Sequence, residues 1–147
     1  MPQPEITHPI LAIFAAALFG ALIGAEREWR RHPGGLRSCS LVAAAAAAFA
    51  RIAIDFGGSN PGAALGAMAT GVGFLGAGVI LHEGNQVRGL STAATFWAVA
   101  AIGSAAGLYA YPIAVSLTVI VFFAHIALRW LSLWIDSVAP PGDEGPR

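Results

Sequence analysis

Between Gly71 and Gly103 the chain reads GVGFLGAGVILHEGNQVRGLSTAATFWAVAAIG. An apolar, glycine-rich run ends at His82, and a second apolar run begins at Ala93. The short polar turn between them carries Glu83, Asn85, Gln86 and Arg88, bracketed by Gly84 and Gly89. This pattern makes sense if both runs cross a bilayer as helices and the turn sits at its surface. Inside lipid only a helix or a closed barrel can satisfy its own backbone hydrogen bonds.

Composition points the same way. Of the residues, 56% are hydrophobic and 11% charged, with a mean hydropathy of +0.69. Soluble domains carry about 25% charged residues. The formal net charge is +0, so no bulk basic field argues for a nucleic-acid partner. No lysine is present, and all 8 basic residues are arginine. A single cysteine, Cys39, excludes an intramolecular disulfide and a cysteine-based zinc site; its plainest role is that of a small packing residue.

The runs predict an all-α membrane protein, a bundle of five transmembrane helices. Pro9 opens the first, to Ala25, as proline suits a first helical turn. Arginines follow this run instead of preceding it, unlike a secretory signal peptide, so a retained first span is expected. The polar loop EREWRRHPGGLRS comes next, broken by Pro33-Gly34-Gly35. Ser38 is placed to cap a second helix to Phe56, whose alanine tract Ala43 to Ala48 fits a position inside the bundle. The third helix is expected from about Pro61 to Leu81, the fourth from about Ser91 to Leu108, and the fifth from Pro112 to about Trp134. Residues 1–136 form the membrane domain, and residues 137–147, Pro- and Gly-rich, a disordered polar tail.

Arg27, Arg30, Arg31 and Arg37 follow the first run, Arg88 the third and Arg129 the fifth, while the other two loops hold no arginine. The positive-inside rule then puts the N-terminus outside and the C-terminus in the cytoplasm. Arg51, the exception, lies four residues before Asp55 and is expected to pair with it locally.

Gly71 to Gly76 matches G-x-G-x-x-G, but a dinucleotide site needs a preceding strand, and the upstream PGAALGAMAT offers none. Small-x-x-x-small spacings at Gly20/Gly24, among Gly62, Gly66, Gly73 and Gly76, and at Gly103/Gly107 predict close helix packing instead. His125, within the fifth run, is either a neutral imidazole bonded to a neighbouring helix or a functional group. No P-loop, H-E-x-x-H or nucleophile elbow occurs, so no catalytic residue, metal ligand or cofactor is expected.

Three segments carry a resemblance: GALIGAERE (Gly20 to Glu28), GGLRSCSLV (Gly34 to Val42) and GFLGAGVILHEGNQVRGLSTAATFW (Gly73 to Trp97). In order and spacing the chain resembles the MgtC/SapB family of bacterial inner-membrane proteins. The family's first inner loop usually reads like G-L-R-T-H, where this chain has Ser38 and Cys39 in the last two places. Many members continue into a soluble cytoplasmic domain; this chain ends soon after Trp134. The resemblance implies a multi-pass protein of the inner membrane acting in adaptation to low magnesium and, in pathogens, in survival inside host cells. It also implies contact with other membrane complexes, the proton-translocating ATP synthase or a magnesium-transport ATPase among them. The chain has no phosphorylation machinery of its own. The reading is of a non-enzymatic accessory or regulatory factor; the alternative is a small ion transporter or channel working as a homo-oligomer.

The candidate cytoplasmic face comprises Glu26, Arg27, Gly35, Arg37, Glu83, Asn85, Arg88 and Thr92, read either as a solvated rim or as a docking surface. Glu26 is expected to pair with Arg88, or else with Arg37. Gly20, Gly24, Gly73 and Gly76 are expected to be the packing glycines.

Overall fold

The computed structural model describes residues 7–56, 60–83 and 86–138. Five helices run in chain order: α1 Thr7–Trp29, α2 Leu36–Phe56, α3 Pro61–Gly78, α4 Leu90–Gly107 and α5 Tyr111–Val138. A two-stranded hairpin, β1 Leu81–Glu83 and β2 Gln86–Arg88, stands between α3 and α4. Its antiparallel register sets Leu81 opposite Arg88, His82 opposite Val87 and Glu83 opposite Gln86.

The molecule carries bulky apolar side chains outside and small ones within. Phe14, Leu18, Phe49, Phe74, Ile120 and Phe123 are exposed, while Ala16, Ala43, Ala47, Ala106 and Ala114 are buried. Water would not tolerate so large an apolar surface; lipid does. In lipid, helices are held by close backbone approach, and α2 supplies it. Its Ala43, Ala46, Ala47, Ala50 and Ala53 form one buried stripe at helical spacing. A Cβ added at Gly20 of α1 would lie 2.4 Å from the Cys39 carbonyl oxygen, and one at Gly103 of α4 would lie 2.2 Å from that of Ala43. Gly24 and Gly107 are equally crowded, against Gly35 and Ala47. The core is therefore a three-helix wedge, α1–α2–α4, with α5 laid on α4 and α1, and α3 laid on α4 and α2.

Gly73 and Gly76 do not belong to that tight set. A Cβ at Gly73 would meet nothing nearer than Trp97 Nε1 at 3.8 Å, and one at Gly76 would meet Ala93 Cβ at 3.4 Å. Both distances are ordinary contacts. The reason is the place of α3 at the margin of the bundle, where Val72 and Met68 pack on Ala46 and Ala100. Four helices are long and apolar enough to cross a membrane, and α3, with its apolar helix at Gly62–Gly78, is shorter.

Several boundaries differ from the sequence reading. α1 continues past Ala25 to Trp29, because Glu26 and Arg30 pair one turn apart and Arg27 finds buried partners. α2 begins at Leu36; its first amide donates to the Glu28 carboxylate of α1 at 2.8 Å, so Glu28 caps it and Ser38 lies inside. α3 stops at Gly78, short of Leu81, because residues from Leu81 go extended to pair in the hairpin. Gly89 then opens α4 in the left-handed region at φ +92, with Val79 oxygen only 1.9 Å from where a Cβ would be; no other residue fits. α5 runs to Val138, so residues 137–138 are helical and not tail, while residues 139–147 lie outside the described residues. At the opposite end of the bundle, Arg51 Nε donates to Asp55 at 2.7 Å, as expected, and its guanidinium lies 5.1 Å from the Tyr109 ring centre.

Candidate functional site

α1 ends in a Schellman-type cap. The Arg31 amide donates to Glu28 oxygen and the His32 amide to Arg27 oxygen, both at 2.9 Å. Arg31 holds φ +58, at the position where glycine is usual. Gly34, at φ +75, completes the reversal. A Cβ there would lie 2.8 Å from Thr92 Cγ2 and 2.9 Å from Phe96 Cε1, so the loop lies directly on α4.

Arg27 holds the loop there. Only 2% exposed, its guanidinium donates to the Pro33 carbonyl at 2.7 Å, the Gly34 carbonyl at 3.2 Å, Thr92 Oγ1 at 2.8 Å and Thr95 Oγ1 at 3.0 Å. A buried cation is tolerated when its donors are satisfied. Here four neutral oxygens from the loop and α4 do so. Cys39 Sγ adds a contact to the Gly34 carbonyl at 3.1 Å.

Thr95 couples this clamp to α5. Its hydroxyl donates to the Ser91 carbonyl at 2.8 Å, accepts from Arg27, and lies 3.2 Å from His125 Nε2. With its one proton on Ser91, Thr95 accepts from His125, which puts a hydrogen on Nε2. The other ring nitrogen, Nδ1, sits 3.4 Å from Glu26 Oε2. That contact has ion-pair distance without hydrogen-bond geometry. Glu26 also pairs with Arg30. Its partners among the described residues are thus Arg30 and His125, not Arg88 or Arg37: the extended α1 turns its carboxylate toward α5. Beside the clamp lies a cavity of ≈290 Å³ whose walls include Glu26, Arg27, His32, Ser91 and His125.

The structure gathers Glu26, Arg27, Gly35 and Thr92 at one end. Gly35 packs on Glu28, whose Oε2 would lie 2.7 Å from an added Cβ. Arg37 is exposed on the first turn of α2 and Arg88 exposed on β2. Glu83 pairs through its backbone with Gln86. Asn85 lies outside the described residues. Thr95 and the carbonyls of Pro33 and Gly34 were not among the sequence candidates. Thr92 and Thr95, three apart at the start of an apolar helix, are the signal that marks them.

A family model described as "MgtC family" matches residues 13–134. A protein named Protein MgtC from Salmonella typhimurium is 48% identical over 94% of this chain and 59% of its own length. A Protein MgtC from Brucella abortus is 40% identical over 88% of the chain and 55% of its own length. An uncharacterised protein of Synechocystis is 40% identical over 90% and 57% respectively. The chain thus spans between half and two thirds of the length of these relatives. No solved structure matches it. The matched region contains the Arg27 clamp, the hairpin and the α1–α2–α4 wedge, and the chain, a multi-pass membrane protein, belongs to the MgtC family.

Proposed function

We propose that the protein is a non-enzymatic regulatory factor of the bacterial inner membrane that acts in adaptation to low magnesium by docking on another membrane complex. The observation that carries this reading is the Arg27 clamp. All of its interactions go to neutral oxygens of its own chain, so it fixes the shape of one end of the bundle. The hairpin that leads into α4 at Gly89, packed closely on Val79, offers Leu81 and Val87, both exposed. A fixed end with exposed apolar and polar groups suits contact with a partner, and the ATP synthase and magnesium-transport ATPases are the first to try.

The same end bears Arg30, Arg31, Arg37, Arg88 and Arg129, while Arg51 lies at the other, paired with Asp55. That bias supports a cytoplasmic clamp, an external N-terminus and a cytoplasmic C-terminus. Cysteine labelling from outside intact cells, in a Cys39→Ser background, tests it: a cysteine at position 110 should label and one at position 86 should not.

Flux and capture separate docking from the rival, an oligomeric ion pathway. The purified protein in liposomes should carry no magnesium flux, and crosslinking in native membranes should trap a larger complex through position 81 or 87. Protein-dependent magnesium flux would establish the rival instead.

A further inference from the structure

The last turn of α1 and the far end of α5 enclose a second pocket, ≈480 Å³, lined by Trp29, Arg30, Arg31, Arg129 and Trp130. Its walls carry guanidinium groups and no carboxylate. Arg30 is engaged by Glu26. Among the described residues, neither Arg31 nor Arg129 makes an ion pair. Glu26, in the adjoining cavity that Arg30 and Arg129 also line, pairs with Arg30, so the guanidinium groups of this pocket outnumber the carboxylates beside it and the excess positive charge favours an anion. Arg31 reaches it from a left-handed backbone position at φ +58, which an L-residue adopts rarely. Glycine would relieve that strain, and arginine stands there in its place.

The place of the pocket along the helices points to the kind of anion. The apolar stretches long enough to cross a membrane end at Trp29 in α1 and at Leu131 in α5, which puts the pocket at the ends of two candidate spans, where headgroups would begin. Trp29 is 90% and Trp130 71% exposed, as expected of rings at that boundary. Leu22 and Leu128, both exposed, continue the two helix faces toward the hydrocarbon. We propose that this pocket binds the phosphate of an anionic glycerophospholipid, Arg31 and Arg129 supplying the charge, the two tryptophans setting the depth, and the acyl chains lying along α1 and α5. Basic pockets between helices at a membrane face select anionic headgroups, each arginine contributing about fivefold in affinity.

The test uses the whole chain in detergent, with bound lipid counted by native mass spectrometry during titration with phosphatidylglycerol, phosphatidylcholine or inorganic phosphate. Phosphatidylglycerol should bind in preference to phosphatidylcholine. Arg31→Gln and Arg129→Gln should each weaken that binding about fivefold, and the pair about 25-fold. Arg129→Lys should keep most of it, whereas Arg51→Gln at the opposite end should leave it unchanged. If the double variant does not purify, the two single variants carry the test. Equal binding of both lipids, or wild-type binding by both single variants, would overturn the proposal. Competition by millimolar inorganic phosphate that empties the site would assign it to a soluble anion and overturn the lipid commitment.

Discussion

Arg27 of α1 reaches Thr92 of α4 across 65 positions of sequence, with its Nη2 2.8 Å from the threonine hydroxyl. The same nitrogen donates to Pro33 oxygen. One guanidinium therefore joins a helix end, a loop and a second helix. Arg27→Met should lower unfolding stability by about 2–4 kcal/mol, since hydrogen bonds to a charged group are worth about 1.5–3 kcal/mol each and the stranded carbonyls have no new donor. Arg27→Lys, with fewer donors in a different geometry, should fall between. Thermal or denaturant unfolding in detergent measures both.

Thr95→Val keeps the shape of the side chain and deletes its hydroxyl. Arg27 Nη1 and His125 Nε2 lose a shared acceptor. The expected cost is about 1–3 kcal/mol, and the His125 ring resonances should move in the NMR spectrum. Unchanged resonances would show that His125 does not depend on Thr95.

The glycines should divide by crowding. Gly103→Ala drives a methyl group into the Ala43 carbonyl at 2.2 Å and should destabilise by about 1–3 kcal/mol. Gly73→Ala, with its nearest neighbour at 3.8 Å, should change stability by no more than about 0.5 kcal/mol. Melting curves of the two variants side by side decide the matter.

Glu28→Ala removes the side chain that accepts from the Leu36 amide at 2.8 Å. A lost helix cap costs about 0.5–2 kcal/mol. Hydrogen exchange should quicken at the first amides of α2 and stay unchanged at the C-terminal end of that helix.

The five helices were legible because long apolar runs broken by short polar or Gly/Pro-bearing turns leave few alternatives, though α3 proved shorter than the other four. The alanine tract likewise announced an inner helix, and Gly20 with Gly24 its close approach. The hairpin was not legible: strands of three residues are too short to show a period of two. Arg27 was legible as a member of the polar end of α1, read as a solvated rim or a docking surface, but its burial was not, since Glu26 and Glu28 flank it. Burial separates the three, and burial depends on Thr92 and Thr95 arriving from far along the chain. The ranking of glycines failed for a related reason. Gly73 and Gly76 stand three apart and Gly103 and Gly107 four apart, but both pairs lie in apolar, small-residue runs, and the marginal place of α3 is what leaves the first pair uncrowded.

The wedge of α1, α2 and α4 is not contiguous in sequence, and this has a bearing on how the protein is made. A ribosome delivers α2, with its row of alanines, well before the helix that closes over Ala43 and Ala47. Alanine is only weakly attractive to hydrocarbon, so α2 gains less from lipid than a leucine-rich helix would and depends on its neighbours. Until Gly103 and Gly107 emerge its close backbone contact is with α1, through Gly20 and Gly24, and α3 adds only the looser packing of Val72 and Met68 on Ala46. The earlier pair of glycines thus gives α2 its first close partner, and the later pair closes the wedge over Ala43 and Ala47.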